Sequence, residues 1–293
     1  MANKIQNENI FGSFLMVLAM ASFAIEDSII KMASTTLPVS QILVMLGLSG
    51  TLFFALIAPF FKKRIWTEDI LTWPMHLRVI SEVFGRVFYS TALAFTSLAS
   101  STMILQATPL MVVVGASVIF KERVSALRWL AILFGLIGVF IIIQPTADNF
   151  SFLSVLAVLG MLGFAGRDLA SRAVSKSVNV FTLGVHGFLS IALAGVVLGL
   201  FLGEAFVVPD TTTILTMSLG SALGAVGYAS IISAMRMGEV SAITPFRYSR
   251  IVFGLLLGVI VFDEQLSFTQ MIGVALIVFS SFVVLYPKSS KLA

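Results

Sequence analysis

The chain has 293 residues, of which 58% are hydrophobic and 11% are charged, with a mean hydropathy of +1.06 and a formal net charge of +4. A soluble globular domain carries about 25% charged residues, so this composition excludes a soluble protein and indicates an integral membrane protein. The absence of cysteine excludes a disulfide framework, a thiol nucleophile and a thiolate metal site.

Ten apolar segments follow one another along the chain. Each is long enough to cross a bilayer, which requires roughly 20 residues in a helix. The N-terminal MANKIQNENI is too polar, and leads into too long an apolar segment, for a cleaved signal peptide. The predicted spans are Ile10 to Ala33, Ser40 to Phe61, Pro74 to Phe95, Ser100 to Phe120, Leu127 to Ile143, Phe152 to Val174, Val180 to Leu202, Thr212 to Met235, Val240 to Phe262 and Phe268 to Tyr286. Their short connections leave no soluble domain.

The basic residues concentrate in alternate loops, and cytoplasmic loops are the ones that carry an excess of Lys and Arg. Placing both termini in the cytoplasm puts ten basic residues inside and little beyond Lys31 outside. The inner set is Lys4, Lys62, Lys63, Arg64, Lys121, Arg123, Lys176, Arg236, Lys288 and Lys291. The excess of basic residues therefore indicates which loops are cytoplasmic, and no nucleic-acid partner is predicted.

The sequence contains an internal duplication, which is the first feature to look for in any chain. Thr244 to Pro287 lies without a gap over Thr102 to Pro145, and both copies read as two apolar helices joined by a polar turn, FKERVS or FDEQLS. FAIEDSIIKMAS (Phe23 to Ser34) likewise matches FAGRDLASRAVS (Phe164 to Ser175). We predict one five-helix unit at residues 10–145 and a second at residues 152–287.

Because five helices per unit is an odd number, the two copies must face opposite ways across the membrane. The duplicated turn agrees, since one copy carries Lys121 and Arg123 where the other carries Asp263 and Gln265. The predicted fold is an all-α integral membrane protein of ten transmembrane helices in two inverted five-helix repeats. Secondary transporters with inverted repeats hold their substrate near the midplane, between the two halves.

The stretch Thr91 to Val139 resembles the repeat unit of the EamA-type transporters of the drug/metabolite transporter superfamily, in its Thr-Pro kink, acidic turn and small-residue final helix. The resemblance extends to both halves and nearly the whole chain. AIED in the first helix and PFRYSR at Pro245 to Arg250 look like the branch that includes bacterial riboflavin transporters. S-adenosylmethionine carriers show a related PYRY pattern.

The resemblance implies a basket of ten helices with a central cavity, lined mainly by the first, third and fourth helices of each half. It implies a multi-pass protein of the bacterial inner membrane with both termini in the cytoplasm. No cofactor and no metal are expected. The expected partners are a small-molecule substrate and the lipid bilayer, and the chain is compatible with a monomer.

Ionisable residues inside a bilayer cost from about 2.5 kcal/mol upward each, so they usually face a cavity or one another. Asp27 and Lys31 are spaced i and i+4 on the first helix, and Asp168 and Arg172 repeat this spacing on the sixth. Two interpretations remain open: each pair only neutralises itself, because residues four apart share one helix face, or the pairs face the cavity.

The arginines near mid-membrane are harder to explain as self-neutralised. Arg86 follows Glu82 by one turn on the third helix, and Arg247 and Arg250 on the ninth have no acidic residue nearby in sequence. We expect these two to find a partner on another helix, with Glu82 or Asp168 as candidates, or on the substrate. A guanidinium group donates to carboxylates, phosphates or a flavin imide edge, and stacks on aromatic faces.

Three of the four tyrosines lie within spans, namely Tyr89, Tyr228 and Tyr248. A buried tyrosine hydroxyl needs a hydrogen-bond partner, which a polar cavity or a backbone carbonyl can supply. Gln106 offers an amide near Pro109, where the missing backbone N–H of proline frees a carbonyl. These four polar residues complete the predicted substrate site.

The predicted function is secondary transport of a small polar or aromatic metabolite, with riboflavin uptake as the first substrate to consider. The alternative is an exporter of amino acids or related metabolites, or an S-adenosylmethionine carrier. An intramembrane enzyme is not predicted, because HExxH, cysteine and GxSxG with a matching histidine are all missing from the sequence. A channel would show filter-like backbone or a ring of like charges.

Overall fold

The structure, a computed structural model, describes residues 2–95, 104–144, 153–262 and 267–285, and within them it leaves out the side chains of residues 2–4, 31, 93–95, 262, 281 and 283–285. Ten long helices lie in these ranges, and no strand does. They are α1 (Ala2–Ala33), α2 (Val39–Ile57), α3 (Trp73–Phe95), α4 (Thr108–Ile119), α5 (Ala126–Ile143), α6 (Ser154–Ala173), α7 (Val180–Leu202), α8 (Thr211–Met235), α9 (Ser249–Phe262) and α10 (Phe268–Leu285). The all-α fold predicted from the sequence is confirmed.

Seven helical stretches in the described part of the chain are long and apolar enough to cross a membrane. The helix α3 has sufficient length, but Arg78, Glu82 and Arg86 follow one another on it at intervals of four residues. Such a ladder places three charged side chains on one face of the helix. That face must turn inward, because hydrocarbon cannot solvate it.

The ninth predicted span is broken rather than continuous. It begins as a single helical turn, Val240–Ile243, passes through a 3-10 stretch, Thr244–Tyr248, and continues as α9. Pro245 lies in the 3-10 stretch and has no backbone N–H to give, so the regular helical ladder cannot pass through it. Transporters place substrate and ion sites at such helix breaks.

Two other boundaries differ from the sequence prediction. The helix α1 begins at Ala2, eight residues before the predicted span, because a helix can continue into the polar region beyond the lipid. The helix α4 begins at Thr108, after a turn at Gln106 and Ala107. The start of that predicted span, residues 100–103, lies outside the described residues.

The two halves contact each other in a symmetric pattern. The most extensive helix contacts join α1 to α8, α3 to α6, α2 to α7 and α5 to α10. Exchanging the two halves converts the α1–α8 contact into the α3–α6 contact. The same exchange leaves the α2–α7 and α5–α10 contacts unchanged. This pattern is that of a two-fold axis relating two five-helix units, with α1, α3, α6 and α8 around the centre.

Glycines permit the closest of these approaches. A Cβ atom on Gly163 of α6 would lie 2.5 Å from the Cα of Gly85 on α3. A Cβ on Gly138 of α5 would lie 2.8 Å from the carbonyl oxygen of Gly273 on α10. Small residues allow backbones to meet in this way, which is the usual basis of helix association in lipid. The crossing of α3 and α6 places their charged faces against each other.

Candidate functional site

The centre of the molecule holds a largely buried cluster of charged and polar side chains from both halves. We call it the central cluster, and its members are Arg78, Glu82 and Arg86 on α3, Arg167 and Asp168 on α6, Tyr228 on α8 and Arg247 in the 3-10 stretch. Glu82 has no exposed surface. Its carboxylate accepts hydrogen bonds from Arg86 Nε at 3.3 Å, from Arg167 Nη1 at 3.3 Å and from the Tyr228 hydroxyl at 2.8 Å.

Asp168 is the second carboxylate of the cluster and is 3% exposed. One of its oxygens accepts a hydrogen bond from Arg167 Nε at 2.8 Å, and the other accepts a hydrogen bond from Arg247 Nη1. The predicted pairing of Arg247 with an acidic residue on another helix is therefore present. It connects α6 directly to the break before α9.

Arg78 lies at the edge of the cluster and is fully buried. Its Nε donates to the Ser171 hydroxyl at 2.9 Å, and its Nη2 donates to the Tyr228 hydroxyl at 2.7 Å. Its Nη1 is buried without a hydrogen-bond partner among the described residues. Beside these groups is a void of about 10 Å³, which has room for roughly one water molecule. The void is too small for a metabolite, so the central cluster is closed at this end.

The charges of the central cluster do not balance. It holds four arginines and two carboxylates, which gives a formal net charge of +2. The Arg86 guanidinium lies 5.5 Å and the Arg167 guanidinium 5.2 Å from the centroid of the Phe164 ring. Such an arrangement suits a ligand that offers hydrogen-bond acceptors and a flat aromatic surface.

A second ion pair lies outside the central cluster, between α1 and α9. Arg250 Nη2 lies 2.7 Å from each oxygen of Asp27, and its Nε lies 2.9 Å from one of them. Both side chains are partly exposed, at 34% and 48%. Asp27 is therefore paired across helices with Arg250. The partner of Arg250 is neither of the two acidic residues proposed from the sequence.

At one end of the bundle, a third group of polar residues joins the two halves. We call it the end cluster, and it consists of Asn9, Glu122, Arg128, Glu239 and Ser241. The Glu122 carboxylate accepts the backbone N–H groups of Val240 at 3.0 Å and Ser241 at 2.9 Å. Arg128 donates to Glu239 and to the Ser241 hydroxyl.

The end cluster also holds the start of α1 against the second half. Asn9 Nδ2 donates to the Glu239 carboxylate at 3.2 Å, and Asn9 Oδ1 accepts the Glu239 backbone N–H at 2.8 Å. The hydrogen bond from Arg128 lowers the pKa of Glu239, so this carboxylate stays ionised at neutral pH. The end cluster therefore closes the bundle at the end where α1 begins.

Four other predicted site residues lie apart from the central cluster. Arg172 donates to the backbone carbonyls of Met235, Met237 and Gly238 and does not pair with Asp168, so the i,i+4 interpretation fails for this pair. Tyr248 is buried beside Gly135, among residues of α5 and α10, and its hydroxyl has no partner among the described residues. The last two are Gln106, which is buried in the turn before α4, and Lys31, which is on α1 with its side chain outside the described residues.

Tyr89 lies one turn beyond the central cluster on α3. Its ring makes an edge contact with Phe164, with 5.9 Å between the centroids. It adds a second aromatic ring beside the arginines, next to the buried ring of Phe164. Of the twelve residues predicted from the sequence, the structure thus gathers Glu82, Arg86, Asp168, Tyr228 and Arg247 at the centre, and it places Tyr89 next to them.

Sequence reasoning missed Arg167 and left Arg78 out of the site. Arg167 occupies the repeat position of Glu26, so the duplicated motif carries an acidic residue in one half and a basic one in the other. A charged residue within the predicted span at the same position of both copies was the signal that could have identified Arg167. Glu26 is itself 8% exposed, and a Cβ on Gly224 of α8 would lie 2.4 Å from its Oε1.

Comparison with known proteins identifies one family. The sequence model of the EamA-like transporter family matches the chain twice, over residues 10–144 and 152–286. The chain is 26% identical over 282 residues to a riboflavin transporter of Vibrio cholerae, covering 94% of this chain and 93% of that protein. It is 28% identical over 275 residues to a pseudopaline exporter of Pseudomonas aeruginosa, covering 91% and 93%. A crystal structure with 20% sequence identity superposes with a TM-score of 0.78 over 94% of this chain and 96% of the other.

Proposed function

Because the chain belongs to the EamA-like transporter family, and is thus a membrane transporter and not an enzyme, we propose that it exposes the central cluster alternately to the two sides of the membrane. The void beside Arg78 is too small for a metabolite, so the halves must move apart at that end for a substrate to pass through. The hydrogen bonds and the ion pair of the end cluster would break when the bundle opens at the end where α1 begins. This largely buried polar centre between two repeats is the observation that carries the proposal.

The substrate we propose is riboflavin, moved inward. The central cluster offers arginine donors around the ring of Phe164, with Tyr89 at its edge. An isoalloxazine ring presents a flat aromatic surface and an imide edge with two carbonyl acceptors, which matches those groups. The similarity to a protein named as a riboflavin transporter over nearly the full length of both chains supports the same choice.

An exporter of amino acids or related metabolites is the second candidate, and the similarity to a pseudopaline exporter supports it. An amino acid needs a cation for its carboxylate and an anion for its ammonium group, and Arg247 beside Asp168 offers both. S-adenosylmethionine is a third candidate, but it carries a sulfonium ion and a net positive charge. The net charge of +2 in the central cluster opposes such a ligand, since like charges at short range in a poorly solvated site repel strongly.

The substrate contacts we propose are the predicted residues in or beside the central cluster, together with the exposed ion pair. They are Glu82, Arg86, Tyr89, Asp168, Tyr228 and Arg247, with Asp27 and Arg250 on the approach. Gln106 and Lys31 stay predictions. Arg172 and Tyr248 contribute instead to the helix framework, because the one binds backbone carbonyls and the other packs between α5 and α10.

We place the protein in the bacterial inner membrane with both termini in the cytoplasm, on the basis of the basic loops. In this orientation the end cluster closes the cytoplasmic side. The partly exposed pair of Asp27 and Arg250 then lies toward the outer side. A monomer suffices, because both repeats of the central site come from one chain.

The test is uptake of labelled riboflavin by cells that lack their own riboflavin uptake and express this chain. We expect saturable uptake that unlabelled riboflavin competes away and accelerates by counterflow, whereas labelled amino acids do not accumulate. Arg86→Lys removes the planar fork beside Phe164 and should reduce uptake at least tenfold. The matched control is Arg123→Lys in an exposed loop, which should leave uptake unchanged.

Three outcomes would each contradict a part of the proposal. Efflux of preloaded amino acids without any riboflavin uptake would favour the exporter. Uptake that never saturates and shows no counterflow would indicate a channel rather than a carrier. Equal uptake by the Arg86→Lys and Arg123→Lys variants would remove Arg86 from the substrate site.

A further inference from the structure

A cavity of about 320 Å³ lies where α2 ends and the chain turns toward α3. It shares no lining residue with the central cluster. Its apolar wall is formed by residues at the end of α2, and its polar wall by the loop that follows. The lining residues that matter here are Ala55, Ala58 and Pro59 on the one side and Lys63, Arg64 and Trp66 on the other. The volume falls within the range of small-ligand sites in proteins.

The cavity is positively charged. Lys63 and Arg64 both line it and both are exposed, and no carboxylate is among its lining residues. The nearby Asp69 accepts a hydrogen bond from the Ser177 hydroxyl of the facing loop. Two cations beside an uncharged apolar wall are suited to a phosphate ester whose remainder is apolar.

The surroundings of the cavity belong at a membrane surface. Phe60, Trp66 and Trp73 are 85%, 70% and 71% exposed, respectively. Exposing such large rings to bulk water is unfavourable, whereas tryptophan is enriched at the level of the lipid headgroups. Leu52 and Leu56 of α2 are 58% and 61% exposed and precede Phe60 at intervals of four residues. They form an apolar strip that runs from the cavity along the lipid-facing side of the helix.

The loop that forms the polar wall is fixed in place by the other half of the protein. The backbone carbonyl of Arg64 accepts hydrogen bonds from Asn179 Nδ2 at 2.8 Å and from the Thr182 hydroxyl at 3.1 Å. The Trp66 ring lies 6.1 Å from the His186 ring on α7. The cavity is therefore a built feature held between the two halves, and its occupant would contact their interface.

We propose that this cavity binds the phosphate-bearing headgroup of an anionic phospholipid. The phosphate lies between Lys63 and Arg64, the glycerol backbone lies beside Trp66, and an acyl chain follows Leu52 and Leu56. Basic pockets on the surfaces of membrane proteins bind anionic headgroups in this manner. A soluble phosphate would use the two cations but would leave the aromatic rings and the aliphatic strip without a function.

The test measures lipid retention and thermal stability of the full-length purified protein. Detergent-solubilised protein is titrated with phosphatidylglycerol, phosphatidylcholine or glycerol 3-phosphate, and bound lipid is counted by native mass spectrometry. The variant is the double substitution Lys63→Gln with Arg64→Gln, which preserves the backbone carbonyl that fixes the loop. The matched control is Lys121→Gln with Arg123→Gln, which removes the same charge from an exposed loop at the same end of the bundle.

We expect one phosphatidylglycerol molecule to be retained by the unmodified protein and by the control, and to raise Tm, whereas phosphatidylcholine does not. The double variant at the cavity should bind phosphatidylglycerol about 30-fold more weakly, since each basic residue near an anionic headgroup contributes roughly fivefold. Equal retention by the cavity variant and the control would overturn the proposal. An equal rise in Tm with glycerol 3-phosphate would also overturn it and would assign the site to a soluble phosphate ester.

Discussion

The Tyr228→Phe substitution removes one hydroxyl group from the middle of the central cluster and keeps the ring. That hydroxyl donates to Glu82 at 2.8 Å and accepts from Arg78 at 2.7 Å. The ring is held by Phe188, whose centroid lies 5.2 Å away, and a Cβ on Gly187 would lie 2.0 Å from the hydroxyl oxygen. Phenylalanine therefore fits the site without movement, and the measured effect reports the two hydrogen bonds alone.

The expected loss follows from the charges on both partners. A hydrogen bond to a charged group contributes about 1.5–3 kcal/mol, so losing two costs about 3–6 kcal/mol. The adjacent void is of water size, and one water can restore part of this loss. We expect a decrease of about 2–4 kcal/mol in the free energy of unfolding, which corresponds to a decrease in Tm of roughly 5–10 °C. The assay is thermal unfolding of the purified protein in detergent.

The matched control is Tyr248→Phe. The Tyr248 hydroxyl is also buried, yet it has no hydrogen-bond partner in the part of the chain that the structure describes. Removing it relieves a buried unsatisfied group, so we expect Tm to stay the same or to rise. If the two variants lower Tm equally, or if Tyr228→Phe has no effect, the bridging role of Tyr228 is refuted.

Two further predictions concern the contacts between the halves. Gly163→Ala should destabilise the protein by several kcal/mol, because the new methyl would lie 2.5 Å from the Cα of Gly85. Gly254→Ala, with no described atom within 4 Å of the new methyl, should be neutral or stabilising by up to about 1 kcal/mol. Equal Tm values for the two variants would contradict the close approach of α3 and α6. Glu122→Gln should weaken the closed end by about 1–2 kcal/mol, because an anion at a helix start is replaced by a neutral group. In this cysteine-free chain, a single Val240→Cys thiol should then react about 5- to 30-fold faster with a maleimide, and unchanged rates would show that Glu122 does not hold that end closed.

Several features of the fold could be predicted from the sequence because they depend on local chemistry. Apolar runs of membrane length predict helices wherever they occur. The missing backbone N–H of Pro245 is likewise visible in the sequence, although the break that it produces before α9 was found only in the structure. The duplication and the odd number of helices in each unit require two opposed halves. Those features needed no information about which helix lies beside which.

The composition of the central cluster depends on the tertiary structure instead. A helix places residues three or four apart on one face, so the sequence left open whether Asp168 pairs with Arg172 or faces the cavity. In the structure the packing of α6 against α3 brings Arg167 to Glu82. The break before α9 brings Arg247 to Asp168. Arg172 donates to backbone carbonyls after α8.

The two neighbouring arginines of PFRYSR also have partners that the sequence alone could not identify. They are three residues apart, yet Arg247 reaches Asp168 on α6 while Arg250 reaches Asp27 on α1, and Tyr248 between them packs against α5 and α10. Sequence alone determined that these charges sit inside the membrane and need partners, because hydrocarbon does not solvate them. Only the packing of the helices decided which partners they have, because the contacts of a side chain depend on the axial rotation and crossing of helices that are far apart in the chain.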